Sequence, residues 1–330
     1  YYFSSFFNRI DFWLITTIVL GYLVSNVLVL QNPVAELIAY DHRSDALIRM
    51  RNPDYHFTLY RTTALKNEFR AAIFLFSCLN IILLLVNLID INWVWFNFDW
   101  SGQYLKQFVH EGTWLLIASI IISMVLVLFF FRGNLNFFTK NKPLKVLCYI
   151  WLIQNCILVI SVGIRNLYYI QHFALAYKRI GVLIFLLLTL IGILTIIYKI
   201  QNRKSAFYTT RVNALSLYIV LLISSFFNWD NIIARYNFNH YQTAFVHLDF
   251  LSALSDKALP YLLKSDAELT SLSKSQATLF HFDYNYMKPE QYAAIIDKRV
   301  TTFRDKWESK SWLSWNYAEY KAYSFLVRSE

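Results

Sequence analysis

The densest group of chemistry-bearing side chains lies in RNLYYIQHFALAYKR, residues 165–179, which holds Arg165, Asn166, Tyr168, Tyr169, His172, Lys178 and Arg179. On a continuous helix Arg165, Tyr169 and His172 stand at i, i+4 and i+7, and Arg179 follows seven residues later, so the spacing predicts one polar face. Two guanidinium groups, an imidazole and a phenol on one face suit an anionic head group. They equally suit pairing with a carboxylate, because a charge at the bilayer centre costs about 2.5–3.5 kcal/mol on insertion scales and calls for a partner. The plainer alternative is that the helix has already left the membrane and these side chains extend to water.

Three further groups carry polar chemistry. In NWDNIIARYN, Asp230 and Arg235 are five residues apart and share no clean helical face. They are expected to serve as a structural clamp between helix ends, with Asp230 reaching Arg165 or Arg179. The apolar run 71–96 contains Asn80 and Asn87, one heptad apart and therefore on one side, as interhelical polar contacts are. A transport path would use such residues too, but normally beside a Gly or Pro break near the midplane. The runs 71–96, 113–131 and 212–227 contain neither residue. Near the end of the chain, Trp307, Trp312 and Trp315 stand among Tyr317, Tyr320 and Tyr323. Such residues form partner surfaces, the inner core of a small domain, or a dock on the membrane.

Other chemistry has little support. HExxH, the phosphate-binding loop, GxSxG and the EF-hand loop are absent from the sequence. His281 and Asp283 have metal-ligand types but no third ligand close by, and read as a surface turn. Asp283, Glu290, Asp297, Asp305 and Glu308 form no defensible carboxylate pair. Cys78, Cys148 and Cys156 fall in or beside apolar runs and read as small buried hydrophobes. Neither a metal nor a cofactor is expected, and enzymatic activity is disfavoured.

These residues need elements to position them. Of 330 residues 57% are hydrophobic and 16% charged, against about 25% charged in soluble domains. With only 7 Gly and 5 Pro, the apolar residues stay in unbroken runs. Runs at about 10–30, 71–96, 113–131, 146–162, 180–200 and 212–227 are suited to crossing a hydrocarbon core of about 30 Å at about 1.5 Å per residue. The sequence therefore predicts an all-α, polytopic membrane helix bundle of about six spans over residues 1–236. A small C-terminal α-helical extramembrane domain of two to four helices follows over residues 237–330. KPEQYAAIIDKRVTTFRDKWESK reads as amphipathic, with Pro289 in its first turn. Residues 31–70 read as an interfacial helix or a solvated loop.

The net charge of +10 sits mainly in short loops, which argues for membrane topology over nucleic-acid binding. Connections after the first, third and fifth runs carry about six, four and four Lys or Arg; the other ends carry about one, one and three. The positive-inside rule places the first set in the cytoplasm and the tail outside. The start, YYFSSFFNRID, lacks an initiator Met and a signal-peptide pattern, and reads as the interior of a longer chain with an odd number of upstream spans.

VHEGTWLL, RNLYYIQHFALAYKRIGVLIF, NWDNIIARYN and LDFLSALSDKALPYLL, with SWNYAEYKAYSFL at the end, occur in an order that resembles the bacterial membrane family called "domain of unknown function 4173". The match departs at FALAYKR, where that family more often has a Gly-Leu-Thr turn. The resemblance implies a bacterial inner (cytoplasmic) membrane protein and implies no activity. The leading functional expectation is a non-enzymatic scaffold, sensor or accessory subunit of a bacterial envelope complex. Its partners would be the lipid bilayer and another membrane or envelope protein, not nucleic acid. A small-solute or ion transporter or channel is one alternative. A membrane enzyme or binder for an anionic lipid, with Arg165, His172 and Arg179 holding phosphate, is the other.

Overall fold

A computed structural model describes residues 64–96, 102–279 and 287–328, with isolated positions between 18 and 49. The chain divides into two compact units, residues 1–48 and 49–330, and the second is the one followed below. Among the described residues it is all-α. Helix α1 spans Ala64–Asp90 and runs on into a π-helical turn, Ile91–Phe96. Then come α2 (Gly102–Phe130), a 3-10 turn (Asn134–Phe137), α3 (Lys142–Phe173), α4 (Tyr177–Asn202) and α5 (Ala206–Ser225). Four stretches, Leu65–Phe96, Lys142–Phe173, Tyr177–Asn202 and Ala206–Ser225, are long and apolar enough to cross a membrane; Leu116–Phe130 within α2 is a shorter apolar stretch. The expected runs 71–96, 146–162 and 180–200 lie inside these helices, and 113–131 and 212–227 extend one and two residues past the ends of α2 and α5. Most of the expected run 10–30 and most of the segment 31–70 lie outside the described residues.

Helix α3 is the centre of the bundle and packs against α1, α2 and α4. Phe76, Ile120, Leu152, Leu158, Ile193 and Ile196 fill the space between them and are fully buried. The opposite faces carry Ile82, Leu85, Ile122, Val125, Leu217 and Leu221, all exposed. A continuous apolar surface of this kind would drive aggregation in water; in a bilayer it is the lipid-facing side. Gly192 sits where α2 and α5 close on α4. A Cβ there would lie 2.7 Å from Met124 Cε and 3.4 Å from Asn213 Oδ1.

A second core begins at Ile233. It is built by α6 (Trp229–Asn239), α7 (Leu248–Ser252), α8 (Leu259–Leu262), α9 (Asp266–Leu279), α10 (Pro289–Glu308) and α11 (Tyr317–Arg328). These are more and shorter pieces than the two to four helices expected. The reason is local: Ser255 has extended backbone angles and Pro260 opens α8, so LDFLSALSDKALPYLL is cut into two helices around a 3-10 turn. Arg299 binds the cut ends together, donating to Ser252 O at 2.5 Å and to Leu254 O and Asp256 Oδ1 at 2.6 Å. Tyr292, 1% exposed, donates its hydroxyl to Leu262 O at 3.0 Å. Buried phenols normally find such a partner.

Candidate functional site

Helices α1 and α3 run parallel, because α2 carries the chain back between them. Polar side chains mark their seam. Asn80 Nδ2 donates to Leu147 O at 3.1 Å and Gln154 Nε2 donates to Asn80 Oδ1 at 3.0 Å. One heptad on, Asn87 Nδ2 donates to Gln154 O at 3.1 Å. Leu147, Gln154 and Ser161 are seven apart on α3 just as Asn80 and Asn87 are on α1. Such matched heptads keep one face of each helix turned to its parallel neighbour. In hydrocarbon these amides gain little from the surroundings, so cross-helix hydrogen bonds fix the register.

The seam ends at a charge pair. The Arg165 guanidinium donates to Asp90 Oδ1, and the Ser161 hydroxyl donates to Asp90 Oδ2. Trp95 Nε1 in turn donates to Ser161 Oγ at 3.3 Å. The π-helical turn after Asp90 explains how Trp95 reaches the same serine: bonding between residues five apart brings positions 90 and 95 close to one face. Arg165 and Asp90 are each 6% exposed. At about 1.5 Å per residue, Asp90 lies about 30 Å along α1 from Ala71, about one hydrocarbon thickness.

The polar stripe expected from Arg165 to Arg179 is not continuous. Helix α3 stops at Phe173, Ala174 has φ 63°, and α4 starts at Tyr177. Arg179 therefore belongs to the returning helix. It lies over the Tyr169 ring, 3.4 Å from the ring centroid, and its carbonyl accepts from Asn166 Nδ2 at 3.1 Å. Arg165 turns to α1, Tyr169 and Arg179 close the α3–α4 hairpin, and His172 Nδ1 donates to Tyr168 O of its own helix at 2.8 Å.

Asp230 likewise meets groups other than those expected. Its carboxylate accepts from the Tyr177 hydroxyl and, at 2.6 Å, from Ser255 Oγ. Arg235 is exposed, and among the described residues no ion pair joins it to Asp230. Asp230 ties α6 to the start of α4 through the Tyr177 hydroxyl and to the 3-10 turn through Ser255.

The contact that joins the two cores was not foreseen. Asn237 grips the hairpin turn with both ends of its amide: Leu175 N donates to Asn237 Oδ1 at 2.7 Å, and Asn237 Nδ2 donates to Leu175 O at 3.0 Å. Phe245 N adds a bond to His172 O at 2.8 Å, and Leu175 and Ile180 pack into the second core. Of the three tryptophans, Trp307 is half-buried, stacked on Tyr323 at 5.8 Å with Lys310 Nζ 5.3 Å from its ring centroid. Trp312 is 82% exposed and Trp315 56%. Among the described residues no three His, Cys, Asp or Glu side chains form a group able to hold a metal ion; His281 and Asp283 lie outside them.

Apolar helices longer than the bilayer is thick, an exposed lipid-facing girdle and a polar interhelical seam define a polytopic α-helical membrane protein. Residues 1–265 match the family described as "Domain of unknown function (DUF4153)", and the chain belongs to that family. This corrects the resemblance to the "4173" family. Five short segments in order carried that resemblance, several of them aromatic and basic ends of apolar runs, which membrane insertion favours in unrelated chains. No curated protein and no solved structure matches the chain.

Proposed function

We propose that the protein is a non-enzymatic component of the bacterial inner membrane. Its bundle (residues 1–236) carries an extramembrane helical domain (residues 237–330), which docks another membrane or envelope protein. In that role it acts as a scaffold, sensor or accessory subunit. One observation carries the reading: the turn Ser311–Trp315 holds Trp312, Leu313 and Trp315 out from a domain whose other large apolar groups mostly face its core. The turn is braced at its base by the Lys310–Glu319 ion pair and by Ser311 Oγ accepting from Leu313 N. Indoles held on a braced turn lose little freedom on binding, and Trp is among the residues most enriched at interface hot spots.

The polar groups of the bundle support a structural role over transport or lipid chemistry. Asn80 and Asn87 are engaged along the α1–α3 seam, and Arg165 is engaged by Asp90. Orientation rests on charge: residues 131–145 and 199–211 hold four Lys or Arg each, at the bundle end opposite the Asn237 contact. The positive-inside rule then supports a tail outside the cytoplasm.

The test replaces Leu313 with photoreactive benzoylphenylalanine, irradiates cells and identifies adducts by mass spectrometry. A protein adduct is expected, weakened at least about thirtyfold when Trp312→Ala and Trp315→Ala are added, since a hot-spot truncation removes about 2 kcal/mol or more. Adducts to phospholipid alone would mean that the turn anchors on the bilayer, and the docking reading falls. Ser309→Cys labelled by an impermeant maleimide on intact spheroplasts checks the side; labelling only after lysis reverses the orientation.

A further inference from the structure

Two connections meet at the end of the bundle away from the Asn237 contact. Residues 131–145 carry Arg132, Lys140, Lys142 and Lys145; residues 199–211 carry Lys199, Arg203, Lys204 and Arg211; neither segment contains Asp or Glu. They interlock through two lysines. Lys199, 1% exposed, donates from Nζ to Phe131 O at the C-terminal end of α2, at 2.8 Å. Lys145 Nζ donates to Ile200 O in the last turn of α4, at 3.3 Å. Each ammonium therefore sits on the negative pole of a neighbouring helix.

With the negative poles neutralised, the positive ones remain. Helices α3 and α5 begin at this end, and neither has an acidic residue in its first turn. Exposed Arg132 and Arg203 and half-buried Lys204 rest on rings: Arg132 is 3.8 Å from the Phe129 centroid, Arg203 is 5.4 Å from Phe137 and Lys204 is 5.3 Å from Tyr208. Stacking holds a cation in place without neutralising it. The start of α1 is brought alongside by Phe69, which meets the Phe138 ring at 4.7 Å; it adds Lys66 and Arg70 against Glu68. A topology signal needs only charge in a loop. It does not require lysines to be buried on helix ends, where they occupy two carbonyl acceptors.

We infer that this end of the bundle binds a phosphate-bearing anion. Arg203 and Lys204 from one connection and Lys140 and Lys142 from the other supply the charge, and the head group of an anionic phospholipid is the source present at that depth. Lys145 and Lys199 hold the two connections together. Soluble phosphate shares the chemistry and is separated by experiment.

The full chain is purified in a mild non-ionic detergent and titrated with phosphatidylglycerol or phosphatidylethanolamine, and bound lipid is counted by native mass spectrometry. Phosphatidylglycerol is expected to be retained preferentially. Arg203→Gln with Lys204→Gln is expected to weaken that retention roughly twenty-five-fold, a factor of about five per cation at an anionic surface. The charge-conserving pair Arg203→Lys with Lys204→Arg is expected to keep it. If the neutral pair fails to fold, Lys140→Gln with Lys142→Gln, at two exposed positions, gives the same readout. Competition by millimolar inorganic phosphate would assign the site to the soluble ion, and its absence to the lipid. Equal retention of both lipids without phosphate competition overturns the proposal, as does unchanged phosphatidylglycerol binding by the neutral variants.

Discussion

Asp90 and Arg165 depend on each other. Removing one partner of a buried pair leaves an uncompensated charge, at about 3–5 kcal/mol. Arg165→Ala should therefore lower the unfolding midpoint in detergent sharply. Asp90→Asn combined with Arg165→Gln should lose less than the sum of the single changes, because they share one interaction. An Arg165→Ala protein as stable as the parent would show that the pair is solvated. Ala174 tests the backbone. Its φ of 63° and ψ of 177° fall in a region that only glycine adopts without strain, at about 1–3 kcal/mol for other residues. Ala174→Gly gives back about 0.4–1 kcal/mol through a freer unfolded chain, so a net rise in thermal midpoint is expected, and Ala174→Val should lower it. Arg165 stood out in the sequence by its type. Its partner did not, because a pairing 75 residues apart needs the α1–α3 register. Half of that register was legible in Asn80 and Asn87. The other half lay in the equal spacing of Gln154 and Ser161.

Element boundaries separate what is local from what is not. Long apolar runs announce themselves because length and composition are local properties, so the bundle helices were readable. The cut between α3 and α4 was not, because FALA holds neither Gly nor Pro and contacts from the distant Asn237 and Phe245 support the turn. Helix α9 shows a boundary that spacing does encode. Ser265 N and Oγ donate to Glu268 Oε2 at 3.0 and 3.1 Å, while Glu268 N donates to Ser265 Oγ at 3.3 Å, a reciprocal capping box. The backbone bond from Ser265 holds the Glu268 carboxyl below its ordinary range, with Lys264 assisting. A depressed folded-state pKa means that the contribution is complete above the unfolded value, about pH 4.3, and disappears as pH falls through the folded one. Glu268→Gln should therefore flatten the acid limb of a helicity-against-pH curve. At neutral pH it should lower stability by about 0.5 kcal/mol, the low end for an exposed cap. An unchanged acid limb would remove Glu268 from the account.

Across the whole molecule, the membrane class was legible because a lipid-facing surface must be apolar over a fixed length. The family assignment was not, because shared hydropathy does not separate one such family from another. What unites the molecule is the Asn237 grip on Leu175. Asn237→Ala strands the part-buried N–H and carbonyl of Leu175, at about 1 kcal/mol for each group left unsatisfied, the low end for such groups. The tail should then become sensitive to proteases under conditions where the bundle stays intact; simultaneous loss of both would show that the two cores melt as one. The grip also has a temporal side. His172 and Leu175 leave the ribosome some sixty residues before Asn237, so the α3–α4 hairpin is in place before its latch exists. The latch engages only a hairpin that has inserted with its turn on the tail's side of the membrane. A hairpin inserted the other way would present no Leu175 to Asn237, and the second core would lack this contact.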